Sequence, residues 1–91
     1  MGSGIASDHI TVEGRSVGYM YREEPDNNID SGWRFLSGDE SQEYLDDADN
    51  LAIYDLNTIA NYDPSIIPHL KSPVGTQLER IPSTAQFRRA D

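Results

Sequence analysis

The sequence contains no cysteine, so it offers neither a disulfide framework nor a thiolate that could bind a metal or act as a nucleophile. It also has no apolar run close to the roughly 20 residues that a membrane-spanning helix needs. Its start lacks the basic segment followed by an apolar one that is typical of a cleavable signal. These absences favour a cytoplasmic protein whose fold rests on side-chain packing.

Basic residues are scarce. Seven lysines and arginines stand against sixteen acidic residues, which gives a formal net charge of -9. Residues 35–70 contain eight of the acids and no lysine or arginine. Negative charge opposes binding to nucleic-acid phosphates and to anionic membranes, so we expect neither partner and favour a basic protein or a cation. The alternative is that the acidic block is only a solvated face that keeps the protein soluble.

The length of 91 residues is enough for one domain with one modest core. The hydrophobic pattern predicts a single small α+β domain, with a mainly antiparallel sheet of four to five strands and one or two short helices packed on it. We assign residues 5–81 to this domain. Residues 1–4 (Met-Gly-Ser-Gly) are interpreted as a flexible leader or a cloning scar, and residues 82–91 as a polar tail that frays.

The first third of the chain has the alternation of a β-hairpin. Ile10 and Val12 alternate with polar neighbours, and a Glu-Gly turn leads to a strand over residues 16–22. One face of that strand carries Val17, Tyr19 and Tyr21.

The only tryptophan opens a third strand, residues 33–36, in which Trp33 and Phe35 share the core face. A Ser-Gly-Asp turn follows, and Asp39 or Ser41 can cap a short helix. Residues 51–54 suit a fourth strand, and residues 73–81 contain the last one. Between them, a helical face of Leu56, Ile59 and Ala60 precedes a second helical segment, which Asp63 caps.

Patterns for catalysis and metal binding are weak. Neither His9 nor His69 has metal-ligand spacing, and no serine lies in a nucleophile elbow. A small hydrolase built from Ser37, a histidine and a carboxylate remains an alternative. The acidic segment 46–50 lacks the glycine and the glutamate of an EF-hand loop, because those positions hold Leu51 and Asn57. We therefore predict no catalytic residue, no metal site and no cofactor.

Four segments resemble, in order, the motifs of a known protein family. They are DHITVEG (8–14), VGYMYREEP (17–25), DSGWRFLSGDE (30–40) and IYDLNTIANYDP (53–64). From about residue 7 to about residue 80, the chain is similar to the small bacterial immunity proteins of the Imm33 type. The resemblance implies an immunity protein that binds a toxin and contains no catalytic residue.

Together, the resemblance and the charge predict a non-enzymatic acidic binding protein that neutralises a basic toxin domain by occluding it. We expect the core residues Trp33 and Phe35 to support the contact surface. A protein-interaction or housekeeping module without a toxin partner is the alternative, and we expect a monomer or a weak homodimer. The predicted partner-binding residues surround the first predicted helix: Asp39, Glu40, Glu43, Tyr44, Asp46, Asp47 and Asp49.

Overall fold

The computed structural model describes residues 2–90. The protein is built around one six-stranded sheet. Its order is β4-β1-β3-β2-β5-β6, and β1 and β3 are parallel whereas the other neighbouring pairs are antiparallel. The predicted α+β class and mainly antiparallel sheet are confirmed, with one strand more than the upper expectation. The strands are β1 (Ser3–Ser7), β2 (Tyr19–Arg22), β3 (Asp30–Leu36), β4 (Leu51–Asp55), β5 (Gln77–Arg80) and β6 (Phe87–Arg89).

Short helices fill the connections between the strands. They are α1 (Asp8–Thr11), α2 (Gln42–Asp46) and α3 (Leu56–Tyr62), together with 3-10 helices at Ala48–Asn50 and Pro64–His69. In the described part of the chain, none of the helices is long and apolar enough to cross a lipid bilayer.

Two helix caps agree with the sequence prediction. The hydroxyl of Ser41 accepts a 3.0 Å hydrogen bond from the amide of Tyr44 and so begins α2. A carboxylate oxygen of Asp63 accepts a 3.1 Å hydrogen bond from the amide of Ser65, although the helix that it caps is a 3-10 helix. Each cap satisfies an amide that has no partner inside its helix.

The core lies between one face of the sheet and the layer that contains α1 and α3. Trp33 and Phe35 are fully buried side by side on this face, as predicted, with ring centroids 6.0 Å apart. The indole N–H of Trp33 donates a 2.9 Å hydrogen bond to the carbonyl of Leu70, so its polar atom is satisfied. The remaining core residues are Ala6, Ile10, Val17, Met20, Leu56, Ile59, Ala60, Ile66 and Leu78.

The opposite face of the sheet is only partly covered. Gln42 and Leu45 of α2 lie over it and, with residues of β1 to β4 that include Ile5 and Leu36, line a pocket of about 340 Å³. This face is called the open face below.

The predicted hairpin in the first third is wrong. Helix α1 replaces its first strand, and Ile10 reaches the core from this helix while Val12 is 73% exposed. In β2, Met20 is the residue that enters the core, whereas Tyr19 and Tyr21 are half-buried on the open face. A short apolar alternation is compatible with one helical turn as well as with a strand, and here burial of Ile10 decides in favour of the helix.

Strands also occur at both ends, where none was expected. β1 begins at Ser3, inside the segment interpreted as a leader, and lies between β3 and β4. β6 lies inside the segment 82–91, which was expected to fray, and pairs with β5. Apolar alternation could not predict β1 from the sequence, because Ile5 is its only large apolar residue. Its Gly4 is closely packed: a Cβ there would lie 3.0 Å from the Trp33 carbonyl oxygen, so a larger residue needs its neighbours to shift by a few tenths of an ångström.

Candidate functional site

The loop between β3 and α2 folds around the carboxylate of Glu40, whose side chain is only 1% exposed. Oε2 accepts hydrogen bonds from the hydroxyl of Ser7 at 2.6 Å and from the amide of Ser37 at 2.8 Å. Oε1 accepts a 2.9 Å hydrogen bond from the amide of Gly38. The carboxylate therefore fastens its own loop to the end of β1.

These hydrogen bonds decide the protonation state of Glu40. Burial raises the pKa of this carboxyl, but the hydrogen bonds from Ser7 and Ser37 together outweigh burial and leave the pKa below its usual value. Glu40 is consequently a buried carboxylate. The sequence prediction had placed this residue on the contact surface, and the structure instead turns its charged group inward.

His9 and Tyr44 cover the same loop from outside. Nδ1 of His9 lies 3.0 Å from Oγ of Ser37, and the His9 ring packs against the ring of Tyr44 with centroids 4.4 Å apart. Burial raises the pKa of the Tyr44 phenol, and the nearby charges of Asp8 and Glu13 raise it further. Tyr44 is half-buried, and the acids around it come from two segments of the chain, Asp8 and Glu13 from one and Glu40 from the other.

The proximity of Ser37, His9 and Glu40 bears on the hydrolase alternative. Acyl transfer by a serine needs backbone amides that are free to bind the developing oxyanion. Here the amides of Ser37 and Gly38 both donate to Glu40, and the Ser37 hydroxyl itself lies 3.0 Å from Oε2 of Glu40. The other histidine, His69, packs edge-on against Phe87 and is not part of this group. The arrangement therefore stabilises a loop.

Five of the seven predicted partner-binding residues present exposed carboxylates, and we call them the acidic surface: Asp39, Glu43, Asp46, Asp47 and Asp49. Asp39 forms a 3.1 Å ion pair with Arg15. Asp47 caps the 3-10 helix Ala48–Asn50, since its Oδ1 accepts a hydrogen bond from the amide of Asp49. Short capped helices thus hold the acidic surface in a defined arrangement. Within residues 2–90, no group of three or more His, Cys, Asp or Glu side chains is arranged to hold a metal ion.

A second carboxylate cluster, which sequence reasoning missed, surrounds Arg34 on the open face. Its guanidinium is buried and binds Asp30 through two hydrogen bonds of 2.9 Å. It also lies 2.6 Å from Glu23 and 3.9 Å from Asp26. The hydrogen bonds from Arg34 hold the pKa of Asp30 well below its ordinary value. The available signal was the separation of Asp30 and Arg34 by an even number of positions on one strand, because this places both side chains on the same face.

A family model named Immunity protein Imm33 domain matches residues 4–91, nearly the whole chain. The matched stretch includes most of β1, the Glu40 loop and the acidic surface. No curated protein and no solved structure matches the chain at a significant level. The family is generally non-enzymatic, and its name implies a toxin partner. The resemblance noted in the sequence is therefore confirmed, and the chain belongs to the Imm33 family of immunity proteins.

Proposed function

We propose that this protein neutralises a toxin domain without chemistry, by placing its acidic surface over a basic surface of the toxin. The observation that best supports the proposal is the exposure of all five carboxylates of the acidic surface within a stretch that contains no lysine or arginine. The family implies a toxin, and the negative charge of the acidic surface indicates that a basic surface of the toxin fits it. We place the encounter in the cytoplasm.

Electrostatics gives this surface two roles in binding. A cluster of like charges steers an oppositely charged partner and raises the association rate, and its carboxylates can replace the phosphate groups that a basic site would otherwise hold. Within the described residues, the one ion pair of the acidic surface joins Asp39 to Arg15. Most of its charge is therefore available to a partner. Glu40 contributes by holding the loop that carries Asp39.

The test is affinity capture from a lysate of the source organism at low salt, followed by elution with rising salt and growth rescue by co-expression. We expect to capture a basic toxin domain. Its affinity for the protein should be at least about tenfold weaker in 0.5 M than in 0.05 M salt, because salt screens exposed charges. Replacing Asp46 and Asp49 by asparagine should weaken binding and growth rescue. Asparagine keeps the size and the oxygen acceptor of each side chain, so folding should be retained.

The control removes two charges that are not part of this surface. Glu24→Gln with Glu79→Gln changes the net charge by the same amount, and both residues lie outside the segment 35–70, although Glu79 also gives up its ion pair with Arg88. If the control weakens toxin binding as strongly as the test pair, only the net charge matters and the acidic surface is not the contact. If nothing basic is captured and no toxin is neutralised, the interaction or housekeeping module becomes the better interpretation.

A further inference from the structure

A groove with three isoleucines lies on the open face beside the edge strand β4. Its apolar lining is Ile5, Ile29 and Ile53, its volume is about 240 Å³, and we call it the isoleucine groove. Ile29 is 71% exposed and Ile53 is 72% exposed, which makes them two of the most exposed large apolar residues of the described chain. Two exposed aliphatic side chains that line one concave site give another molecule apolar surface to contact.

The groove is held in shape before any partner arrives. Ile5 and Ile53 are directly opposite each other in the antiparallel pair of β1 and β4. Ile29 belongs to the loop before β3, where its amide donates a 2.9 Å hydrogen bond to Asn27 Oδ1 and its carbonyl accepts one of 2.9 Å from the amide of Ser3. With its backbone fixed on both sides, Ile29 keeps its side chain in solvent. A rigid site of this kind loses little conformational entropy on binding.

The rim of the groove is acidic. Asp26 and Asp30 line it directly, and Asp55 follows at the end of β4, opposite Ser3. The nearest guanidinium, Arg34, is buried and already faces three carboxylates, so this cluster keeps an excess of negative charge. A second copy of the chain would bring the same carboxylates and the same net charge of -9, so its approach is repelled. The rim therefore selects a cationic partner.

The isoleucine groove shares one lining residue with a pocket that borders the acidic surface. Ile5 lines both, and Gln42 and Leu45 of α2 line the second pocket. The same helix carries Glu43 and Asp46 of the acidic surface. An apolar centre bordered by charged groups is the usual anatomy of a protein interface, in which a few buried side chains supply most of the affinity.

We propose that the isoleucine groove anchors the toxin by taking up an aliphatic side chain that lysines or arginines flank. This inference rests on the proposed function and deepens it. The acidic surface attracts the toxin, and the groove holds one apolar side chain of the toxin out of water. The flanking cations of the toxin face Asp26 and Asp55 at the rim.

The experiment uses the whole chain labelled at its isoleucine δ1-methyl groups and a synthetic seven-residue peptide of alternating lysine and leucine. We expect the methyl signals of Ile5, Ile29 and Ile53 to shift and saturate during titration, while that of Ile67 on the other layer stays in place. A lysine-serine peptide has the charge without the apolar groups, and a glutamate-leucine peptide has the opposite charge. Both should bind at least about tenfold more weakly.

Matched variants assign the binding to the groove. Ile29→Thr with Ile53→Thr should weaken lysine-leucine binding about tenfold or more, because it removes apolar surface while keeping the β-branched shape. Ile67→Thr changes another exposed isoleucine and should leave the affinity unchanged. If Ile53→Thr disturbs the edge strand in the methyl spectrum, Ile29→Thr alone, in a loop, gives the answer with an expected loss of about threefold or more.

Several outcomes would overturn the inference: equal binding of the lysine-serine peptide, shifts centred on Ile67, or unchanged affinity in the threonine variants. The outcome for the toxin is separate. If the wild-type protein and the double threonine variant rescue growth equally well, the groove is not the anchor although the proposed function stands. If the groove binds the peptide and no toxin is neutralised, the proposed function fails and the groove is a site for cationic apolar segments of another origin.

Discussion

The hydroxyl of Ser7 donates a 2.6 Å hydrogen bond to the carboxylate of Glu40, 33 residues further along the chain. Ser7 is fully buried, and the Glu40 side chain is almost so. This bond joins the end of β1 to the loop that precedes α2. The position of the acidic surface therefore depends on a carboxylate that is not itself part of that surface.

Replacing Glu40 by glutamine should destabilise the fold by about 1 to 3 kcal/mol, because an amide group offers one acceptor oxygen where the carboxylate offers two. One of the donors from Ser7, Ser37 and Gly38 then loses its partner. Urea unfolding at neutral pH measures the change. The control is Glu43→Gln, at an exposed position of α2, which should alter the free energy of unfolding by less than about 0.5 kcal/mol.

The stability of the wild type and that of Glu40→Gln should respond differently to acid. The pKa of Glu40 is lower in the folded state than in the unfolded chain, so its ionisation stabilises the fold above the unfolded value of about 4.3. That contribution is lost as the pH falls through the lower, folded-state pKa. The stability gap between wild type and Glu40→Gln should thus be full at pH 7 and shrink below about pH 4.5. A gap that widens in acid would contradict this assignment.

Gly32 should tolerate alanine much less well than Gly75 does. Both glycines have positive φ angles, +89° and +96°, so alanine is strained at either position. At Gly75 a Cβ meets nothing within 4 Å, and we expect a loss of about 1 to 2 kcal/mol. At Gly32 a Cβ would lie 2.1 Å from the carbonyl oxygen of Glu23, which requires β2 and β3 to move apart.

Thermal unfolding of the two alanine variants provides the comparison. Gly75→Ala should fold and melt a few degrees below wild type. Gly32→Ala should lose at least about 3 kcal/mol or fail to fold, since a backbone clash is added to the strain. Equal losses in both variants would mean that the approach of Glu23 to Gly32 is not a constraint on the fold.

Removing the charge of Arg34 should be costly unless Asp30 is neutralised as well. Arg34→Met leaves a nearly buried carboxylate without its bidentate partner, and we expect a loss of about 3 kcal/mol. Adding Asp30→Asn should recover part of it, because the uncompensated charge is gone. Urea unfolding of the two variants measures the recovery, and a double variant less stable than Arg34→Met would contradict the expectation.

Features that depend on neighbouring residues could be predicted from the sequence. Trp33 and Phe35 alternate on a strand, the buried face of α3 has helical spacing, and Ser41 caps the helix that follows it. Long-range partners decided the rest. Whether Glu40 points outward depends on Ser7, and whether Ile10 lies in a strand depends on the layer that it packs against.

The two candidate sites also differ in whether neighbouring residues or distant segments form them. The acidic surface could be named from the sequence, because its residues are close together in one stretch without bases. The isoleucine groove could not, because Ile5, Ile29 and Ile53 come from three separate segments that only the sheet brings together. Each of them is unremarkable within its own segment. No local pattern distinguishes an isoleucine in a groove from one in the core.

The internal position of β1 affects how the protein is made. β1 is the first strand of the sheet in chain order, but its partners β3 and β4 follow only after β2 has been made. During synthesis β1 has no partner in the sheet until β3 has left the ribosome and gains its second partner only with β4, and pairing of such distant segments is slow. Its composition of serine, glycine and alanine around one isoleucine suits that delay, because a waiting strand with few large apolar side chains is a poor seed for aggregation.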